Sequence, residues 1–207
     1  MEKLDLTKLY KSYYSAKPTP EIIEIEPAQF LSITAKGDPS DKVFSEVVEA
    51  LYSTAYTIKF SCKELKKDFA VPKLEGLWWY DETKFEGLSV SEAPLKVSRS
   101  EWEYRLLIRM PEYVKQEMVQ IAVEAVRTKK QISLVEQVGL YVMNKEKCVQ
   151  MLHVGPFSTE PETLLKINEF MQLNKLVKNG IHHEIYLSDF RKTAPEKLKT
   201  ILREPVK

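Results

Sequence analysis

The chain has 207 residues, enough for one large domain or two small units sharing a hydrophobic core. Its 43% hydrophobic and 29% charged content is ordinary for a soluble globular protein. The 31 basic and 30 acidic residues are mixed along the chain and leave a net charge of +1, which argues against a nucleic-acid binder with its basic excess or stripe.

The opening MEKLDLTKLYKSYYSAKP lacks the apolar run of a signal peptide. No uncharged apolar stretch is long enough to cross a bilayer, so a cytoplasmic protein is expected. Cys62 and Cys148 stand far apart, with no CxxC and no Cys/His ligand spacing, and read as free thiols. Residues 1–20 read as an N-terminal arm with one helical turn, ending at Pro18 and Pro20.

EIIEIEPAQFLSITAKG then alternates and is β-rich. Asp38 is placed to cap a helix, with Pro39 at its first position. Phe44, Val47, Val48, Leu51, Ala55 and Ile58 follow helical spacing, which predicts an amphipathic helix over 41–60. KLEGLWWYDE and WEYRLLIRM are strand candidates, joined by a Ser-, Gly- and Pro-containing connection over 83–100 that is a candidate lid. Pro111 opens the next helix, with Val114, Met118, Ile121, Ala122 and Ala125 as its apolar stripe. Residues 134–143 and 147–154 read as strands, although LVEQVGLYVM also suits a helical extension. After Gly155-Pro156, Thr159 and Glu162 match a capping box, and Leu164, Ile167 and Met171 mark a third helix. Asn179-Gly180 turns the chain into HHEIYLSD, and 195–207 reads as a last strand.

The two parts of the chain echo each other. FLSITAKGDPS leads through a helix to GLWWYDE, and CVQMLHVGPFST leads through a helix to HHEIYLSD. This predicts an α+β fold, a pseudo-symmetric tandem repeat of β-α-β-β units on an antiparallel sheet with a central ligand groove. The expected organisation is the arm, 1–20, then 21–207 in two halves, about 21–100 and 101–207.

The common catalytic signatures GxGxxG, GxxxxGK[ST], HExxH and GxSxG are absent. His182 and His183 point to opposite faces of one strand and cannot both ligate one metal; they and His153 read as exposed or capping residues. No metal or cofactor is expected. In HHEIYLSD, His182, Glu184 and Tyr186 share one strand face, while Ile185 and Leu187 share the other and read as packed against a helix. All three tryptophans, Trp78, Trp79 and Trp102, fall in predicted strands with Tyr80 and Tyr104. A lone carboxylate among such rings suits planar aromatic or cationic ligands, and a partly dry one suits proton transfer. The same residues also fit a plain core of tryptophans with Glu184 in a surface ion pair.

HVGPFSTEPETL, HHEIYLSDFRKTAPEKLKTILREPV, PKLEGLWWYDE and EWEYRLLIRMPEYV resemble the GyrI-like small-molecule-binding proteins, in a stand-alone branch, from about residue 20 to the end. The resemblance implies an aromatic groove for a hydrophobic or cationic ligand, with Glu184 as the groove glutamate. It implies Trp79, Trp102, Tyr104 and Tyr186 as ligand-binding residues, placed by strand and face. Some stand-alone members are hydrolases that open the cyclopropane of DNA-alkylating natural products, which makes Glu184 and Tyr186 the catalytic candidates. No basic helix-turn-helix precedes the domain, so direct nucleic-acid binding is not expected. A membrane partner is not expected either, and a monomer or weak dimer is. The family name also points to a topoisomerase partner, but no charge excess or long apolar segment supports that role.

Overall fold

The structure is a computed structural model that describes residues 3–207. The first two residues of the expected arm lie outside the described residues. The arm holds one short helix, α1 (Leu6–Leu9), capped by Asp5, whose Oδ1 accepts from Thr7 N and Lys8 N. Eight strands follow: β1 (Glu21–Ile25), β2 (Ala28–Lys36), β3 (Leu74–Trp79), β4 (Glu103–Arg109), β5 (Gly139–Met143), β6 (Glu146–Val154), β7 (His182–Tyr186) and β8 (Lys199–Pro205). Between them lie α2 (Lys42–Glu64), α3 (Ala93–Lys96), α4 (Gln116–Lys130) and α5 (Glu160–Leu173). No helix among the described residues is long and apolar enough to cross a membrane.

The strands form one antiparallel sheet in the order β1-β6-β8-β7-β3-β4-β2-β5. β4 pairs with both β2 and β3, and β8 pairs with both β6 and β7. The repeat is therefore β2-α2-β3-β4 followed by β6-α5-β7-β8, and a division at 100/101 falls inside its first copy. The strand that precedes each copy crosses to the other: β1 pairs with β6, and β5 with β2. The copies meet where β3 pairs with β7, with Gly76 directly opposite Glu184.

The long helices lie on one face of this sheet. Val47, Leu51, Ile58 and Cys62 of α2 and Val119, Ala122 and Val126 of α4 pack over Ile33, Leu106 and Ile108. Leu164, Ile167 and Met171 of α5 pack over Val149, Met151 and Leu202. The arm covers the other face, where Tyr13 and Tyr14 meet Phe30, Leu77, Leu107, Ile185 and Ile201. With both faces covered, β3 loses the polar alternation of a half-exposed strand and is buried from Leu74 to Trp78. Cys62 and Cys148 are buried free thiols.

Several local expectations are corrected. Asp38 does not cap α2; it accepts from Ser40 N at 2.7 Å in a turn around Pro39, and the helix starts one turn later, after Asp41. Pro111 likewise opens a turn, closed by Val114 N donating to Pro111 O at 2.9 Å, and α4 starts at Gln116. The buried stripe of α4 is Val119, Ala122 and Val126, and Ile121 is exposed. Thr159 makes no capping bond, because its hydroxyl donates back to Pro156 O at 2.9 Å. Residues 133–137 form a 3-10 turn before β5. Ile185 and Leu187 face the arm and not a helix; the helices occupy the face of Glu184 and Tyr186.

Candidate functional site

Strand pairing and the period of two place Gly76 and Trp78 of β3, Tyr104 of β4, and His182, Glu184 and Tyr186 of β7 on the helix-bearing face. Their rings form a continuous aromatic floor. Trp78 lies 5.1 Å from Tyr104 between centroids, and Phe44 of α2 covers both, at 6.1 and 5.2 Å. Phe157 and Phe190 pack edge-on against Tyr186, at 5.9 and 6.4 Å.

A hydrogen-bonded chain crosses this floor. Trp78 Nε1 donates to Tyr186 Oη at 2.9 Å, and Tyr186 donates to Glu184 Oε2 at 2.7 Å. Glu184 Oε1 lies 3.2 Å from His182 Nε2, and His182 Nδ1 bonds Glu204 Oε1 on β8. Gly76 makes this geometry possible, since a Cβ there would sit 2.7 Å from Trp78 Nε1 and 3.0 Å from Tyr186 Oη. The position opposite Glu184 thus carries no side chain, and on this face β3 and β7 hold one carboxylate between them.

The electrostatics follow from burial and from these partners. Burial and then Glu184 hold the Tyr186 phenol well above its ordinary range, so it stays a donor. Burial alone would lower His182, but Glu204 and Glu184 outweigh it and push its pKa up to about 10. Burial and then Glu184 raise Glu160, which approaches from α5. Glu184 keeps 13% of its side chain exposed, a nearly dry carboxylate beside rings.

Beside this floor is a groove of about 700 Å³, lined by Phe44, Val48 and Tyr52 of α2 and by Phe190 and Arg191 of the β7–β8 connection. Glu184 does not line it. Phe190 is the shared wall, touching Tyr186 on one side and the groove on the other.

The structure brings Glu184 and Tyr186 into contact and links Tyr104 to them through Trp78. Trp79 does not join them, because it follows Trp78 by one residue and so faces the arm side. Trp102 precedes β4 and packs with Tyr80 at 5.1 Å, between a small core with Ala93 and Val97 in the 83–100 connection and the edge of the main helix-side core. The expectation of exposed or capping histidines is corrected as well. All three are largely buried; His153 Nδ1 lies 2.8 Å from Thr163 Oγ1, and His183 Nε2 lies 2.9 Å from Glu75 Oε2. Sequence reasoning missed Gly76 and Glu204, and gave Trp78 and His182 a strand position but no role in the site. The glycine inside LEGLWW was the available signal for a close approach; nothing local marked Glu204 as buried. Among the described residues no His/Cys/Asp/Glu group could hold a metal ion.

A family profile described as the GyrI-like small molecule binding domain matches residues 18–207. The chain is 38% identical to an uncharacterized conserved protein from Listeria innocua, over 99% of this chain and 100% of that one, with a TM-score of 0.86. It is 37% identical to a hydrolase from Listeria innocua, over 99% and 100%, with a TM-score of 0.83. The EcmrR C-terminal domain, at 9% identity and a TM-score of 0.60 over 91% and 97%, shares the fold. No curated protein matches.

Proposed function

The chain belongs to the GyrI-like small molecule binding domain family, and we propose that it takes a planar, hydrophobic aromatic or cationic molecule against the floor of Trp78, Tyr104 and Tyr186. The observation that carries this reading is Glu184, a nearly dry carboxylate among those rings. Stacking and cation–π contacts on such rings contribute about 0.5–2 kcal/mol each. The neighbouring groove of about 700 Å³ falls within the roughly 300–1,000 Å³ of small-molecule sites. A ligand that displaces Phe190 and Phe157 from Tyr186 reaches Glu184 from that groove. The role is xenobiotic binding by a cytoplasmic monomer or weak dimer, without nucleic acid or cofactor.

A second reading is hydrolysis of the bound molecule, a cyclopropyl-dienone electrophile. It is favoured by the donors arranged around Glu184 and by the full-length relative named a hydrolase. Water gives a proton to Glu184 while its oxygen bonds the cyclopropane methylene carbon. The carbon–carbon bond to the dienone ring breaks, and its electron pair aromatises that ring. The dienone oxygen takes a proton from a tyrosine phenol and becomes a phenol itself; Glu184 then releases its proton to solvent, and solvent reprotonates the tyrosine. One water is added and no redox partner is required. Tyr186 already donates to Glu184, which leaves Tyr104 for the dienone oxygen. Burial pushes the Tyr104 pKa up to about 12, so it stays protonated.

Fluorescence titration with rhodamine 6G tests binding: saturation is expected, with weaker binding for Glu184→Gln, and no saturation with any aromatic cation would sink the first reading. Mass spectrometry of a cyclopropyl-dienone compound incubated with the protein tests hydrolysis. A ring-opened product carrying one added water is expected, absent with Glu184→Gln; a rate equal to buffer across several such compounds removes the second reading.

A further inference from the structure

The chain of contacts that holds Glu184 continues beyond it. His182 faces Glu184 through Nε2 and Glu204 through Nδ1. With both carboxylates ionised the ring donates from both nitrogens and is an imidazolium, in line with the push of Glu204 and Glu184 on its pKa. Glu204 is 1% exposed, and its Oε2 has no hydrogen-bond partner among the described residues. An unpaired buried carboxylate oxygen costs about 1–3 kcal/mol or more, so a donor belongs there.

Glu204 and His182 also line a small cavity of about 40 Å³, with Trp78, Trp102 and Lys178, beneath the β3–β4 connection. That volume accommodates on the order of one to three waters. It lies on the far side of Trp78 from the α2 groove, against Leu164 of α5. The two openings mirror the repeat: one lies between α2 and the β7–β8 connection, the other between α5 and the β3–β4 connection.

We propose that His182 and Glu204 are positioning residues for Glu184, a charge-paired relay that holds its carboxylate and links it to water in the cavity beneath the β3–β4 connection. The proposal rests on the reading of Glu184 as the working carboxylate of the groove. Glu204 keeps the imidazolium charged in dry surroundings that would otherwise discharge it. The imidazolium fixes Glu184 Oε1 while Tyr186 fixes Oε2, and each oxygen keeps a lone pair for a ligand or water. Burial and then Glu184 push the Glu160 carboxyl of α5 well above the ordinary carboxylate range. Lys178 pairs with Glu82 at 2.9 Å and balances Glu204. Thr200 of β8, buried beside Glu160, carries no charge. Trp78, Tyr80 and Trp102 exclude bulk water.

The experiment uses the full chain as wild type, His182→Gln and the near-isosteric Glu204→Gln. Nitrogen-15 NMR of the imidazoles, with the His182 signals assigned by their loss in H182Q, reads the relay without any ligand. His182 is expected to remain doubly protonated at pH 8 in the wild type, and to titrate at least about one pH unit lower in E204Q. A neutral His182 at pH 7, or an E204Q titration equal to wild type, overturns the proposal. The pH profiles of rhodamine 6G binding and of cyclopropyl-dienone hydrolysis supply the second readout. H182Q, which removes the imidazolium, should move the acid limb to higher pH, and both variants should lower kcat about tenfold with KM nearly unchanged. Unchanged profiles in folded variants also overturn it. A wild type with neither Glu184-dependent binding nor turnover defeats the groove reading instead, and the NMR result then decides the relay alone. Should H182Q fail to fold, E204Q carries both readouts, its NMR read against the wild-type signals that shift.

Discussion

Replacing Gly76 by alanine tests the aromatic floor at its tightest point. The new Cβ would lie 2.7 Å from Trp78 Nε1, so the indole must retreat by about 0.7 Å to reach the 3.4 Å of ordinary contact. Trp78 cannot swing freely, being wedged between Phe44 and Tyr104. Its movement stretches the 2.9 Å bond to Tyr186, and through Tyr186 loosens Glu184. Overpacking of this kind costs about 1–3 kcal/mol and the lost bond about 0.5–1.5 kcal/mol. Reduced freedom of the unfolded chain offsets about 0.4–1 kcal/mol. The net loss is about 2 kcal/mol, which lowers Tm by roughly 4–8 °C in a chain of this length. Gly139→Ala is the control, because its Cβ meets nothing within 4 Å. Differential scanning calorimetry reads both variants, and rhodamine 6G titration follows the site. A G76A protein with the Tm and dye affinity of wild type would refute the claim that this glycine shapes the floor.

Trp78→Phe removes the donor to Tyr186 and should weaken dye binding about fivefold, for roughly 1 kcal/mol; Trp79→Phe, on the arm face, should change it less than about twofold. The reverse order, read by the same titration, would contradict the face assignment. On the arm side, Tyr13 donates to buried Glu75 at 2.5 Å, so Tyr13→Phe should cost about 1–3 kcal/mol in urea unfolding; a negligible loss would mean that the arm does not depend on Glu75. The pH dependence has a definite sign. His182 is raised to about 10, so its stabilisation is complete below about pH 6.5 and is lost as pH rises through 10. His183, lowered mainly by burial, acts oppositely: its contribution is lost as pH falls below about 6.5. Melting of H182Q should therefore be flatter than wild type between pH 7 and 10, and identical slopes would deny His182 its charge.

The repeat was legible because it is written locally. Helical spacing in Phe44–Ile58 and Leu164–Met171, turn residues at Gly37 and Gly155, and strands of aromatic and branched residues are short-range properties. The sharing of one face by His182, Glu184 and Tyr186 followed from the period of two alone. Which layer covers that face was not legible. Ile185 looked suited to a helix, and it packs under an arm that lies more than 160 residues earlier in the chain. The buried group of Glu75, His183 and Arg203 was equally hidden, because charged residues announce burial only through partners supplied by distant strands.

By itself, then, the sequence determined the α+β class, the doubled strand–helix–strand pattern and the strand face that Glu184 shares with His182 and Tyr186. Local periodicity and motif are enough for those. Only the tertiary structure decided that Gly76 of one copy faces Glu184 of the other, that Trp78 and not Trp79 joins the floor, and that His182 and Glu204 stand behind the carboxylate. The physical reason is register. Each of these contacts spans strands far apart in the chain, and a shift of one residue in their pairing would turn every one of these side chains to the opposite face.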